Sequence, residues 1–174
     1  MKQQKDNINT TGMWDTRYSG GKWRVFPYEV IYEKYLKDRL NITSFTDYGC
    51  GLGEGVEYLA KHFPKATFWG LDFSSVGITK AKHLPHNFEV ADFNEDFTPR
   101  PSDMAIVSHT LEHIDRPMEF LEKIKPFHKE ILLSIPLETE PQGEHKSTFD
   151  LTDFKVEHAI VEGPNAIIIM KGEL

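Results

Sequence analysis

The 174-residue sequence contains 20 Lys and Arg against 27 Asp and Glu, which gives a formal net charge of −7, and 39% of its residues are hydrophobic. This length and hydrophobic content predict one globular domain with a sizeable core, while the negative charge excludes a basic field for nucleic acid or an anionic membrane. Cys50 is the only cysteine, which excludes disulfides within the chain and thiolate zinc clusters and favours a reducing, cytoplasmic location.

The first twelve residues, MKQQKDNINTTG, are polar and carry no secretory signal. They are expected to form a flexible tail (1–12), followed by a single domain over residues 13–174. No stretch is long and apolar enough to cross a bilayer. A small molecule is therefore the expected partner, with no nucleic acid and no membrane, and the oligomeric state stays open.

Apolar runs alternate with helical patterns along the chain, which indicates a parallel sheet flanked by helices. The predicted strands are 44–49, 67–73, 87–93, 104–109, 130–136, 155–161 and 165–171, and the predicted helices are 27–40, 53–63, 74–83 and 117–125. Only the turn EGPN joins the last two strands, so this pair must be antiparallel. The fold class is thus predicted to be α/β, a doubly wound, mostly parallel sheet of seven strands with one antiparallel strand and helices on both faces.

The stretch TDYGCGLGEGVEYLA (46–60) places four glycines at alternate positions between the first strand and a helix. A glycine-rich turn lets backbone approach a ligand and aims helix N–H groups at it. The dinucleotide fingerprint G-x-G-x-x-G does not fit, because its third glycine would fall on Glu54 or Val56. The pattern is D-x-G-x-G-x-G, led by Asp47, and the alternative is a tight turn that serves packing alone.

Acidic residues follow the next two predicted strands. Asp72 ends the second strand about 20 residues past the glycines, the position from which an acid accepts hydrogen bonds from ribose hydroxyls. Asp92 ends the third strand in VADF, where it could reach an exocyclic amine while Phe93 covers an adenine face. Each acid alone could be a helix cap or a solvated turn residue, but their joint placement favours a nucleoside ligand.

Together, the segments DYGCGLG, GLDFS, VADF and VSHTLEHI resemble the class I S-adenosylmethionine-dependent methyltransferases, from about Trp14 to the end of the chain. The resemblance implies their Rossmann-like fold, with S-adenosylmethionine as cofactor and S-adenosylhomocysteine as product. In that family an aromatic residue near the start of the domain often closes over the cofactor, and MWDTRYSGGKW looks like this entry segment. The cofactor-binding residues that the resemblance implies are Trp14, Tyr18, Asp47, Gly49, Cys50, Gly51, Gly53, Asp72, Phe73, Asp92, Phe93, Ser108 and His109.

A rival function arises at the end of the fourth strand, where His109, Glu112 and His113 match the H-x-x-E-H spacing of a zinc protease helix. That chemistry requires both histidines on one helical face, with a third ligand elsewhere. Because His109 directly follows the apolar run MAIVS, it is predicted to end a strand, so we expect no metal here. In the resembling family this segment passes beside the cofactor, and His113 either faces the substrate or caps and packs.

A polar loop, PLETEPQGEHKSTFDLTDF, follows the fifth strand, and loops at the carboxyl edge of a sheet commonly carry function. Glu144 and His145 match a Glu-His pair that related methyltransferases show there, so His145 and His113 are the candidate catalytic residues; a solvated loop histidine is the alternative. The sequence predicts methyl transfer to an oxygen, nitrogen or carbon nucleophile of a small molecule. The alternative is a non-catalytic S-adenosylmethionine-binding module that supports a partner enzyme.

Overall fold

The computed structural model describes residues 1–3, 9–20, 26–137, 140–141 and 143–174. One sheet in this part of the chain is formed by β1 (Ser44–Tyr48), β2 (Thr67–Asp72), β3 (Asn87–Val90), β4 (Ser102–Ser108), β5 (His128–Pro136), β6 (His158–Glu162) and β7 (Asn165–Lys171). The helices are α1 (Thr11–Ser19), α2 (Phe26–Ile31), α3 (Glu54–His62), α4 (Ser75–Ala81) and α5 (Pro117–Ile124). Short 3₁₀ turns lie at Leu111–His113, Lys125–Phe127 and Leu151–Asp153.

The order of the strands is β3-β2-β1-β4-β5-β7-β6. Strands β1 to β5 pair in parallel, and β7 runs antiparallel to both of its neighbours, β5 and β6. The predicted fold class, a mostly parallel seven-stranded sheet with one reversed strand, is confirmed. The strand order changes direction between β1 and β4, and in such sheets a ligand crevice lies at the carboxyl ends of the strands beside this point.

Both faces of the sheet are buried, each under its own hydrophobic cluster. Consecutive residues of β4 alternate between the two clusters: Ile106 packs with α3 on one face, and Val107 packs with α5 on the other. A strand covered on both faces must be apolar at successive positions, because neighbouring side chains point in opposite directions. This burial explains why the strands appear in the sequence as short apolar runs without polar alternation.

Several element boundaries differ from the prediction. Strand β3 ends at Val90 instead of residue 93, because the carboxylate of Asp92 accepts the backbone N–H of Asn94 at 2.9 Å and turns the chain. The predicted helix 27–40 is interrupted, since α2 gives way to a π-helical turn at Tyr32–Leu36.

Some of the described residues of the predicted tail (1–12) take part in regular structure. Helix α1 begins at Thr11, Asn9 is buried, and Lys2–Gln3 pair antiparallel with Ser147–Thr148. Residues 4–8 of that predicted tail lie outside the described residues, as do the last three residues of MWDTRYSGGKW and positions 138, 139 and 142 of the polar loop. In the part of the chain that is described, no helix combines the length and the apolar character that crossing a membrane requires.

His128 at the start of β5 makes folding stability depend on pH. Its ring is fully buried, with Nδ1 2.9 Å from Ser102 Oγ and Nε2 2.9 Å from the hydroxyl of Tyr48. The Ser102 hydroxyl donates to the carbonyl of Met104, so Nδ1 is the donor to Ser102 and Nε2 accepts from Tyr48, which suits a neutral ring. Burial lowers the pKa of His128 from 6.5 to about 4.

We expect this group to lower the free energy of unfolding as the solution is acidified. Between its folded and unfolded pKa values the unfolded chain binds the proton more readily, so His128 costs about 2 kcal/mol of stability between pH 7 and pH 5. Urea denaturation across this range should therefore show a smaller loss of stability for His128→Asn than for the unchanged protein. An equal loss of unfolding free energy in the variant and in the unchanged protein would contradict the lowered pKa of His128.

Candidate functional site

The glycine-rich loop connects the end of β1 to the start of α3 at the carboxyl edge of the sheet. Three of its glycines adopt positive φ angles: 84° at Gly49, 55° at Gly51 and 79° at Gly53. A Cβ atom on Gly49 would lie 2.0 Å from Oγ1 of Thr110, so both the backbone angle and the available space require glycine there. The loop is thus packed directly against the chain that leaves β4.

Asp72, the last residue of β2, ties this loop to the neighbouring strand. One carboxylate oxygen accepts the backbone N–H of Gly51 at 2.9 Å, and the other accepts that of Ser74 at 2.8 Å. The residue is 3% exposed, and this burial raises its pKa to about 6 against the opposing effect of the two hydrogen bonds. The carboxylate is therefore ionised at neutral pH, and its remaining lone pairs can accept further donors.

Helix α1 lies over the glycine loop. Trp14 and Tyr18 form a small buried cluster with Leu52, and the hydroxyl of Tyr18 is 3.1 Å from where a Cβ of Gly51 would stand. The carboxylate of Asp15 on the same helix accepts hydrogen bonds from the segment that begins α4. These contacts hold two aromatic rings beside the glycine loop at the carboxyl edge of the sheet.

A cavity of about 880 Å³, including the space at its open mouth, lies between α1, the glycine loop and the ends of β2 and β4. The predicted site residues at its wall are Trp14, Tyr18, Gly49, Cys50, Gly51, Asp72, Phe73, Asp92, Phe93, Ser108, His109 and His113. Motifs that follow three successive strands thus meet around one cavity.

Two residues predicted as cofactor contacts, Asp47 and Gly53, do not line this cavity. Both oxygens of Asp47 accept from the hydroxyl of Tyr28, at 2.9 and 2.8 Å, and burial raises the pKa of this carboxyl to about 7. A Cβ on Gly53 would lie 2.9 Å from the ring of Phe88. Both residues support the loop from within the core.

The cavity wall also includes residues that the sequence analysis did not select: Asn9, Pro27, Tyr28, Leu52, Glu54, Gly55, Asn94, Thr110 and Ile114. Glu54 directly follows DYGCGLG, and Asn94 directly follows VADF. Their positions next to these motifs were the available signal that they belong to the site. Asn9 and Tyr28 belong to no motif. Asn9 donates to the carbonyl of His113 at 2.7 Å and accepts from the indole of Trp14 at 2.5 Å, a connection that only the tertiary fold reveals.

The histidines of HTLEH do not share a helix. His109 follows the last residue of β4 with φ 48°, and its N–H still bonds to the neighbouring strand, at 2.8 Å from the carbonyl of Ser134. The 3₁₀ turn begins only at Leu111. The H-x-x-E-H spacing therefore lacks the single helical face that a zinc protease requires, as expected from the position of His109 after an apolar run.

His145, the remaining candidate catalytic residue, is not at the cavity wall but lies directly behind His113. The two rings pack edge to face with centroids 5.0 Å apart. Nδ1 of His113 is 3.2 Å from the carbonyl of Glu144, and the side chain of Glu144 forms an ion pair with Arg17 of α1. The polar loop after β5 is thus attached both to α1 and to the segment after β4.

Comparison with known proteins gives a family match inside the chain. Residues 46–130, just under half of the sequence, match the model of a family described as a methyltransferase domain. No curated protein matches the sequence. The matched residues run from the end of β1 into β5 and include the glycine loop, Asp72, Asp92 and the histidines after β4.

Similar solved structures support the fold. The mitomycin 7-O-methyltransferase MmcR is 17% identical with a TM-score of 0.70, over 85% of this chain and 53% of that one. The plantazolicin methyltransferase BpumL, solved with a triazolic desmethylPZN analogue and S-adenosylhomocysteine, is 24% identical with a TM-score of 0.57, over 71% of this chain and 52% of that one. Coclaurine N-methyltransferase, bound to N-methylheliamine and S-adenosylhomocysteine, is 18% identical with a TM-score of 0.55, over 67% and 39%. The chain spans about half the length of the first two and less of the third.

Proposed function

We propose that this chain, whose residues 46–130 match the model of a methyltransferase domain, transfers a methyl group from S-adenosylmethionine to an oxygen, nitrogen or carbon nucleophile of a small molecule. The observation that carries this proposal is the single cavity shared by the glycine loop, Asp72 and the Asp92–Phe93 pair. The bound cofactor supplies a methyl group already activated on a sulfonium. The protein's task is then mainly to align this methyl group with the acceptor.

The residues around the cavity fit the parts of S-adenosylmethionine. Asp72, ionised and at the cavity wall, is the acceptor for the ribose hydroxyls, since a desolvated carboxylate forms strong hydrogen bonds. Asp92 and Phe93 lie at the adjacent strand end, where a carboxylate can accept from the adenine amine and a ring can cover the base. The aromatic pair of Trp14 and Tyr18 covers the methionine side, where its rings exclude water.

The acceptor side of the cavity is formed by Ser108, His109 and His113, with His145 behind His113. A histidine there is suited to take a proton near neutral pH, which is needed only where the acceptor loses one. The mitomycin and coclaurine enzymes act on small molecules, as their names state, and this supports an acceptor of that class here.

Thermal unfolding with two ligand classes tests the cofactor assignment. A ligand that binds only the folded state raises its stability by about 2.7 kcal/mol at a concentration of 100 times Kd. We expect S-adenosylhomocysteine to raise the melting temperature in proportion to the logarithm of its concentration, and NAD to leave it unchanged. A rise with NAD alone would overturn the assignment.

A screen of small acceptors for production of S-adenosylhomocysteine then tests turnover. Formation of a methylated acceptor would establish that the isolated chain is an enzyme and needs no partner protein for turnover. Binding of S-adenosylhomocysteine without turnover of any acceptor would favour the alternative, a cofactor-binding module that supports a partner enzyme. The match covers only about half of each similar structure, so turnover by this chain alone is an informative measurement.

A further inference from the structure

Three side chains capable of binding a metal converge behind the acceptor side of the cavity. Glu112, His113 and His145 each offer one ligand atom, and these atoms all lie within 4.8 Å of one another. The first two come from the 3₁₀ turn after β4 and the third from the polar loop after β5. A backbone hydrogen bond of 2.7 Å from the N–H of Lys146 to the carbonyl of Glu112 holds the two segments side by side.

Glu112 is the most unusual member of this cluster. Its side chain is 0% exposed, and among the described residues neither carboxylate oxygen has a hydrogen-bond partner. Nδ1 of His109 lies 3.5 Å from Oε1 of Glu112, longer than a hydrogen bond of about 2.7–3.2 Å. A buried carboxylate is costly unless a charge or several donors compensate it. A cation beside Glu112 would supply that compensation.

The ring of His113 is oriented as in metal sites. A carbonyl oxygen can only accept, so Nδ1 of His113 donates to the carbonyl of Glu144, and Nε2 of the neutral ring keeps its lone pair. Histidines that bind metals commonly donate their other N–H to a carbonyl or carboxylate in this way, which fixes the tautomer and the ring orientation. His113 is therefore held with one nitrogen ready to bind.

The geometry points to a binding site for one divalent transition-metal ion, and we propose that Glu112, His113 and His145 are its ligands. Two imidazoles and one carboxylate suit Zn²⁺, Mn²⁺, Fe²⁺ or Co²⁺ and leave coordination positions open. Metal–ligand bonds of about 2.0–2.2 Å place ligand atoms roughly 3–4 Å apart, so the cluster closes onto an ion through small side-chain movements.

The position of this site narrows the class of methyl acceptor, an extension that rests on the proposed function. His113 belongs both to the cluster and to the cavity wall. Through His113 the ion is linked to the acceptor side of the cavity, and its open coordination positions favour an acceptor with an oxygen donor, such as a phenol or a hydroxamate. The expectation that this segment holds no metal considered only His109 and His113, and it was based on their lying on opposite sides of a strand end. The structure instead pairs Glu112 and His113 with His145, 32 residues farther along the chain from His113.

Metal binding by protein purified without a histidine tag and treated with a chelator tests the site. Co²⁺ is the probe, since its visible absorption reports the ligands directly. We expect one equivalent to bind, and at least about tenfold weaker binding in Glu112→Gln and in His145→Ala, because loss of even an indirect partner of a metal costs 10–100-fold. The control is His83→Ala, which removes an exposed histidine outside the cluster and should bind as the unchanged protein does.

The outcomes separate this inference from the proposed function. Equal Co²⁺ binding by all variants, or none by the unchanged protein, overturns the metal site. Binding of S-adenosylhomocysteine, measured by calorimetry in the chelated protein, tests the cofactor assignment independently. Because Glu112 is buried and its variant could lose stability, His145→Ala provides a half-buried second position, and melting temperatures confirm that both variants fold. A His145→Ala protein that loses turnover but binds Co²⁺ normally would make His145 a base and contradict its role as a ligand.

Discussion

Replacing Gly49 with alanine is expected to destabilise the protein by about 3–5 kcal/mol and to abolish cofactor binding. The new Cβ would stand 2.0 Å from Oγ1 and 2.8 Å from Cβ of Thr110, at a backbone φ of 84°. To relieve this clash, either Thr110 or the end of β1 must move. Because Gly49 and Thr110 both line the cavity, the movement changes the cavity's shape. Urea denaturation measures the loss of stability, and calorimetry with S-adenosylhomocysteine measures the loss of binding.

Gly163→Ala is the matched control for this substitution. Gly163 has φ 59° in the turn between β6 and β7, but a Cβ there would meet no atom within 4 Å. Its replacement incurs the backbone strain alone, about 1–2 kcal/mol, and leaves the cavity untouched. Equal losses of stability in the two variants would show that the close contact of Gly49 with Thr110 is unimportant.

Asp72→Ala is expected to weaken S-adenosylhomocysteine binding by about 1–3 kcal/mol, or roughly 5- to 150-fold in Kd. The variant removes a desolvated charged acceptor proposed for the ribose hydroxyls. It also leaves the backbone N–H groups of Gly51 and Ser74 without their acceptor, so the glycine loop loses its attachment to β2. The melting temperature of the free protein should therefore fall as well.

Asp92→Ala serves as the comparison for Asp72→Ala. Asp92 is partly exposed and its carboxylate accepts one backbone N–H, that of Asn94, so its loss should cost less affinity and less stability. Titration calorimetry on both variants gives the order of the effects. Native affinity in Asp72→Ala would mean that the ribose lies elsewhere in the cavity.

The strands and their direction follow from local sequence patterns. Strand β7 was predicted at residues 165–171, its observed bounds, because a strand buried on both faces must be an uninterrupted apolar run. The short turn before it permits only an antiparallel partner, so the reversed strand was also predictable. The carboxyl-edge position of the glycine loop and Asp72 follows from the same parallel topology.

Side-chain roles within the site depend on contacts between distant parts of the chain. Asp47 stands in the D-x-G-x-G-x-G pattern, yet it binds Tyr28 of α2 in the core instead of facing the cavity. The hydrophobic periodicity of one segment does not specify which residue of a separate helix will pack against it.

The amino-acid sequence by itself determined the α/β class, the strand directions and the edge at which the motifs collect, because hydrophobic periodicity and turn length are local properties. Only the tertiary structure decided that His145 lies beside His113 and that Glu112 is buried without a hydrogen-bond partner among the described residues. The physical reason is that long-range packing brings the loop after β5 against the turn after β4, and burial acquires its electrostatic cost only in that folded arrangement.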